Sequence, residues 1–303
     1  MTILIDPPAW PAHGTVFSHL VSDTSLIELR TFARGAGVPD RAFDLDHYDI
    51  AAFRHDDLVA AGAVPVEGGE LARRLLASGL RVRGGERAGS KREALLARWD
   101  ALRPTPSGAW HTVGVALDAR WREPHRAYHT AFHLAFALDA LDLLLADAAV
   151  RGEPVPGPLA WRARVALWFH DAVHDGATPA DEEASAALVH DLLGPLGGDP
   201  DEIARLVLVT AGHAPDPDDL AGCLVSDADL AILGSGSGDY VRYAHQVRAE
   251  YAHVPDALFR QGRARVLESL LATDDLFRTP WGRTRWQARA ATNLATELTT
   301  LTP

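Results

Sequence analysis

From residue 91 to the C-terminus, apolar positions return at intervals of three and four and are interrupted by Pro and Gly, the spacing of helices that each bury one face. This pattern predicts helices over 91–102, 128–148, 160–169, 181–193, 200–211, 221–233, 240–251, 255–272 and 284–298. The first eighty or so residues read differently. Ile3-Leu4-Ile5 is a short apolar run closed by Asp6 and Pro7-Pro8, which predicts a strand. Ser25 and Glu28 stand at capping-box spacing for a helix that Gly35 and Gly37 would stop. Further helices are expected at 51–61 and 69–78, the second with Leu71, Leu75 and Leu76 on one face, and Val64-Pro65-Val66 lies between them. The Gly- and Arg-rich stretch 81–90 has little to bury and predicts a linker. The expected fold class is therefore mainly α: a small α/β domain over 1–83, a linker over 84–90 and an all-helical domain over 91–303.

Composition narrows the classes. At 303 residues and 47% hydrophobic, the chain can bury a large core. A net charge of -12 argues against tracking a nucleic-acid backbone or an anionic membrane surface. Cys223 is the sole cysteine, which excludes an intrachain disulfide and fits a reducing cytosol. With no leader pattern and no apolar run of membrane-spanning length, a cytoplasmic protein is expected, with room left for a homo-oligomer.

The chemistry concentrates in Trp168-Phe169-His170-Asp171-Ala172-Val173-His174-Asp175. Two imidazoles and two carboxylates closing an apolar run are costly to bury unless bonded or ligated, and they are the donors a divalent cation accepts. Upstream, His129 and His133 stand at i, i+4, so both are expected on one face of the first long helix. Downstream, Asp227 and Asp229 lie in an otherwise apolar stretch, and two residues apart on a helix only one of them can be a direct ligand. A helical bundle can bring such residues from separate helices to one point, so His133, His170, Asp171 and Asp227 or Asp229 form the candidate ligand set. Arg126 is placed to neutralise phosphate, Glu183 to orient a ligand or water, and His213 to contact substrate. Arg242, Arg248 and Glu250 read as a salt-bridged helix face.

The ordered set His133, His170-Asp171 and Asp227 or Asp229 resembles the HD superfamily of metal-dependent phosphohydrolases, over roughly residues 109–301. Tyr128-His129 to His133, Asp181-Glu182-Glu183-Ala184-Ser185-Ala186, Asp227-Ala228-Asp229-Leu230 and Val247-Arg248-Ala249-Glu250-Tyr251 resemble a bacterial branch of that superfamily. The Tyr-His-x-x-x-His and His-Asp-x-x-His patterns are also similar to those of the cyclic-nucleotide phosphodiesterases. That likeness implies His133 as a metal ligand, His129 as the acid protonating the leaving oxygen, and His174 beside a second metal or the substrate. The chain departs from the phosphodiesterases at Thr130, where Asn is usual, and in lacking their nucleotide-clamping Gln segment.

The resemblance implies an HD-type all-helical domain using one or two divalent cations (Mn, Mg, Fe, Co, Ni or Zn) to hydrolyse a phosphoester of a nucleotide or related small metabolite. A bound cation lowers the pKa of water from about 15.7 toward roughly 7, about 12 kcal/mol in favour of hydroxide. The competing expectation is a non-catalytic metal- or nucleotide-binding sensor that signals through the N-terminal domain. That domain has its own polar set: Asp6, Trp10, His19, Asp23 and Asp46-His47-Tyr48-Asp49. These read as caps and bonded loop residues, with a small ligand or metal site as the alternative, or even a catalytic part through Asp6, Asp23, His47 and Asp49. Through Leu20-Val21-Ser22-Asp23-Thr24 and His47-Tyr48-Asp49, residues 1–83 resemble a bacterial domain family of unknown function.

Overall fold

Alternation of apolar residues along short strands builds one half of the molecule, and three- and four-residue spacing builds the other. The computed structural model describes residues 2–12, 15–39, 42–82, 84–103, 105, 107–197 and 199–301. It divides into two units, Met1–Ala94 and Leu95–Pro303, the first a small α/β fold and the second helical.

In the first unit, β1 (Ile3–Ile5), β2 (Trp10–Ala12), β3 (Thr15–Ser22), β4 (Tyr48–Ala51) and β5 (Val64–Pro65) make one mixed sheet. β3 pairs antiparallel with β1, β2 and β4, and β1 pairs parallel with β5. β1 is buried on both faces, so it reads as a continuous apolar run. Leu4 and Val21 pack with Leu71 and Leu75 of α3 (Gly68–Ala77). On the opposite face, Ile3, Ile5 and Leu20 pack with Leu29 and Ala33 of α1 (Leu26–Gly35) and Leu58 of α2 (His55–Ala60).

Ser25 caps α1 as expected, its hydroxyl accepting from the Glu28 amide at 3.1 Å. Glu28 reaches back to the Ser22 hydroxyl at 2.6 Å, and that oxygen in turn takes the Ser25 amide. Three details differ from the sequence reading. β3 escaped it because Ser18, His19 and Ser22 break its apolar pattern although all of them lie on a paired strand. Residues 51–61 are the end of β4, a 3-10 turn and α2 rather than one helix, because Tyr48 and Ile50 bury on alternate positions. Leu76 is exposed, since 100° of helix rotation separates it from Leu75.

The expected linker is helical. α4 (Gly84–Asp100) runs through it, and the division between units falls inside this helix; Arg83 lies outside the described residues. The Ala, Glu, Lys and Arg that follow Gly84-Gly85 are strong helix formers and outweigh the glycines.

The helical unit continues with α5 (Gly108–Arg120), α6 (Ala131–Val150), α7 (Gly157–Phe169), α8 (Ala180–Leu193), α9 (Pro200–Val209), α10 (Leu220–Asp229), α11 (Ser237–Glu250) and α12 (Asp256–Leu271). α13 (Pro280–Gly282) passes through a π-turn at Arg283–Gln287 into α14 (Ala288–Leu301). Among the described residues no helix is long and apolar enough to cross a membrane. α7 is the centre of the core, with Val165, Ala166, Leu167, Trp168 and Phe169 wholly buried. α10 is buried from Ala221 to Ala228 and packs on both α6 and α7. This three-helix junction positions the site described below.

α5 was absent from the sequence reading because Gly108, Gly114 and its β-branched residues lower its propensity. Packing holds it in place. Trp110 stacks on Trp99 with ring centroids 4.2 Å apart, and each indole N–H donates to the other residue's carbonyl, at 2.8 and 3.1 Å. Gly114 lets α5 approach this pair, since a Cβ there would overlap the Trp99 ring. Gly114→Ala is therefore expected to destabilise the helical unit by about 1–3 kcal/mol despite the higher helix propensity of alanine, measured as a lower urea midpoint. An unchanged or raised midpoint would show that the tryptophan pair does not constrain α5.

Candidate metal centre

The helices end or begin where their chemistry is needed. Thr130 caps α6 through its hydroxyl, which places His133 in the first turn. α7 stops at Phe169, so His170 and Asp171 emerge directly from its C-terminus, and Asp229 is the last residue of α10. The Nε2 atoms of His133 and His170 lie 3.1 Å apart. Asp229 Oδ1 stands 3.1 Å from the first and 3.5 Å from the second, while Asp171 Oδ2 stands 3.1 Å from His170 and 3.7 Å from His133. Both imidazoles are buried.

The tautomer of His170 follows from its other nitrogen. Nδ1 is 2.8 Å from the Leu167 carbonyl, which can only accept, so Nδ1 carries a hydrogen and Nε2 is the nitrogen turned inward, where a metal ion or a proton can bind it. Two imidazole nitrogens and two carboxylate oxygens facing one point repel each other unless a cation, or at least a proton, stands among them. That donor set and its burial fit a divalent metal ion. The electrostatics agree. Burial opposes a charge on His170, but Asp171 and Asp229 overcome it and hold the imidazole well above its usual range. Burial likewise opposes ionisation of Asp171 and Asp229, and the facing imidazoles, His170 first, hold both below the usual carboxylate range. His133 goes the other way, because its burial outweighs the pull of Asp229.

A second layer holds this arrangement. Glu250, at the end of α11, accepts through Oε2 from the successive amides of Ala127, Tyr128 and His129 at 3.3, 2.6 and 3.2 Å. Its Oε1 meets His129 Nδ1 at 2.9 Å and His174 Nε2 at 2.6 Å. Burial opposes the charge on Glu250, but the bonds from His129 and His174 hold it far below the usual range. The rings of His129 and His174 are in contact, centroids 3.9 Å apart and tilted by 34°, and His129 Nε2 is 3.9 Å from Asp171 Oδ2. On the other side, His213 Nε2 lies 3.7 Å from Asp229 Oδ2, and its Nδ1 bonds the Ser226 hydroxyl at 3.2 Å.

His133, His170, Asp171 and Asp229 thus converge, flanked by His129, His174 and His213. Four expectations are corrected. Asp227 is not a ligand: wholly buried on another side of α10, it accepts from the Arg278 amide at 2.5 Å and from the Thr279 amide and hydroxyl at 2.8 and 2.7 Å. Burial pushes its carboxyl up to about 6 in spite of these donors. His129 is not on the helix with His133; it precedes the cap at Thr130 and reaches the site from a loop. Arg126 does not face a substrate. Its buried guanidinium donates to the carbonyls of His129, Asp171 and Ala172 at 3.1, 2.7 and 3.1 Å and to Glu123, so all five N–H groups are engaged in tying the His129 and Asp171 segments together. Glu183 is exposed on α8. Its neighbour Glu182 is buried, takes the Thr178 hydroxyl at 2.9 Å, has no bonded partner for Oε2 among the described residues, and favours the charged form of His213.

Glu250 is the residue that sequence reasoning misplaced. A Glu two residues after an Arg on a polar helix gives a salt-bridged face by composition, and its true partners lie far away along the chain, at residues 127–129 and His174. The one sequence signal was its place in Val247-Arg248-Ala249-Glu250-Tyr251.

Comparison with known proteins adds one finding. Residues 3–78 match a family model described as a protein of unknown function, DUF4031, which covers the sheet and α1 to α3. No curated protein and no solved structure matches the chain.

Glu250→Ala would leave three amides and two imidazoles without their acceptor, so a loss of about 3–5 kcal/mol is expected, whereas Glu183→Ala should stay within about 0.5 kcal/mol of the parent. Chemical denaturation of both variants checks this, and equal midpoints would remove Glu250 from its central place.

Proposed function

We propose that the helical unit is an HD-type metal-dependent phosphohydrolase that cleaves a phosphoester of a nucleotide or related small metabolite. The observation that carries this reading is the meeting of His133, His170, Asp171 and Asp229 at distances of 3.1 to 3.7 Å, on three helices and in the order the superfamily resemblance implies. In this reading those four residues hold one divalent cation. When bound, such a cation polarises a phosphoryl oxygen and makes water a usable nucleophile near neutral pH.

The remaining work falls to the chain. Asp171 faces both the ligand imidazoles and His129, so it can align a water for attack on phosphorus. His129 is the proton donor to the departing alkoxide: Glu250 holds its Nδ1, so the other nitrogen, Nε2, is presented toward Asp171. His174, bonded to the same Glu250 oxygen and packed against His129, helps to hold that ring in place. His129, His174 and Glu250 also lie close enough together to hold a second ion; in this reading they act as a hydrogen-bonded group that sets the His129 ring. His213, beside Asp229, is a substrate contact.

Full-length protein purified without chelator or nickel resin is expected to carry metal in elemental analysis, and His170→Ala and Asp229→Ala to lose it while Asp227→Asn retains it. Against a panel of nucleotides and phosphorylated metabolites with added Mn or Mg, the parent should release phosphate or nucleoside. His129→Ala should then lower the rate by about 10²- to 10⁴-fold without lowering metal content. Metal retained in the His170→Ala and Asp229→Ala proteins would sink the proposed ligand set; metal bound with no turnover on any phosphoester would replace hydrolysis with sensing.

A further inference from the structure

The sheet of the N-terminal unit carries a second convergence of imidazoles, built independently of the first. In the β3–β4 register His19 stands opposite Asp49, so their side chains share a face of the sheet. His47 precedes Asp49 by two residues and shares that face by the twofold period of extended chain. His47 Nε2 and His19 Nε2 both point at one oxygen, Asp49 Oδ1, at 3.3 and 4.0 Å, and the two rings lie 5.0 Å apart. The three donor atoms all fall within 4.8 Å of one another.

What distinguishes this group from an ordinary surface cluster is how the imidazoles are held. His19 Nδ1 bonds Asp6 Oδ2 at 3.0 Å, and the other Asp6 oxygen takes the His19 amide at 2.5 Å. His47 Nδ1 bonds Asp46 Oδ1 at 2.6 Å, and Asp46 also accepts from the Val82 amide at 2.6 Å, with Arg81 Nη1 at 3.4 Å. Asp6 and Asp46 are buried, and each is held in its charged form by these bonds against the cost of burial. A buried carboxylate at each Nδ1 fixes the ring and turns Nε2 outward, the way carboxylates orient histidines toward metals. Without a metal, burial opposes a charge on His47, but Asp46 and Asp49 raise it to about 9, so its Nε2 meets Asp49 as an imidazolium. A divalent cation takes the place of that proton. Bonds of about 2.0 Å in a tetrahedral zinc site put neighbouring donors about 3.3 Å apart, which the His47–Asp49 separation equals and the His19–Asp49 separation approaches.

We infer that His19, His47 and Asp49 form a binding site for a divalent transition metal ion of the zinc class, oriented by Asp6 and Asp46. Among the described residues the site has three donors, the number that in catalytic zinc sites leaves a position for water or an anionic ligand. Access is open, since Asp49 is 48% exposed and His19 25%. Trp10 stands edge-on to His19 with centroids 5.3 Å apart. Asp23, considered with this group from the sequence, is instead paired with Arg74.

The test uses full-length protein in a His170→Ala background, so that the ion in the helical unit does not contribute. Zinc alone is titrated against a chromophoric chelator, and cobalt(II) is added in parallel to read its visible absorption. One equivalent of zinc is expected, with a cobalt spectrum of low-coordinate nitrogen and oxygen ligation. His19→Ala should abolish both, and Asp46→Asn should weaken zinc by about 10- to 100-fold. Asp49→Asn removes the anionic donor from a half-exposed strand position, so it tests the site even if His19→Ala fails to fold; circular dichroism should be unchanged and zinc binding lost. If the folded parent takes up no zinc, or Asp49→Asn binds it as the parent does, the site is overturned, and the group is then a set of imidazolium–carboxylate pairs. Neither result bears on the hydrolase reading, whose ligands lie in the other unit.

Discussion

The convergence of two buried imidazoles and two largely buried carboxylates on one point is the constraint around which the helical unit is organised. His133, His170, Asp171 and Asp229 turn inward at the junction of α6, α7 and α10. An uncompensated buried carboxylate costs several kcal/mol, and a whole domain is stable by only about 5–15 kcal/mol. Such a group persists only where each charge is matched and the surrounding backbone leaves it no alternative. Both conditions hold. The helices are anchored by wholly buried residues such as Trp168, Phe169 and Leu224, and the ligands occupy helix ends, where the chain changes direction and side chains from different elements can meet.

The loop before α6 shows how much structure is committed to one imidazole. Glu250 gathers three consecutive amides of residues 127–129, and Arg126 clasps the carbonyls on the far side. A loop residue has backbone freedom that a helical one lacks, and here that freedom is removed by two charged side chains whose every bonding group is engaged. His129 gains from the loop a position that no helical register offers: Nδ1 on a carboxylate, Nε2 toward the ligand set. Arg126, which composition marked as a phosphate binder, is the structural element that makes this possible.

The two units reach similar chemistry from unrelated backbones. In the helical unit a carbonyl at the end of α7 sets the tautomer of His170; in the sheet, buried Asp6 and Asp46 set those of His19 and His47. In each case the nitrogen away from the site is bonded first, and its partner is thereby aimed. The helical unit buries its donors at a junction, whereas the sheet unit presents them on a half-open face.

The chain itself determined the broad architecture and most of the converging side chains, because helical periodicity and an apolar run ending in His170-Asp171 are local facts that survive any packing. It also placed the Ser25 cap and the β1 strand, whose signals span only a few residues. What it left open depended on distance. Asp227 and Asp229 are equivalent in composition, and only the packing of α10 against α6 and α7 decides that Asp229 meets the histidines while Asp227 meets the amides of Arg278 and Thr279. α5, the exposure of Glu183 and the burial of Arg126 were hidden for the same reason. Side-chain partners more than a turn away are chosen by tertiary contacts, and free energy for a buried charge lies in those partners rather than in the residue's neighbours along the chain.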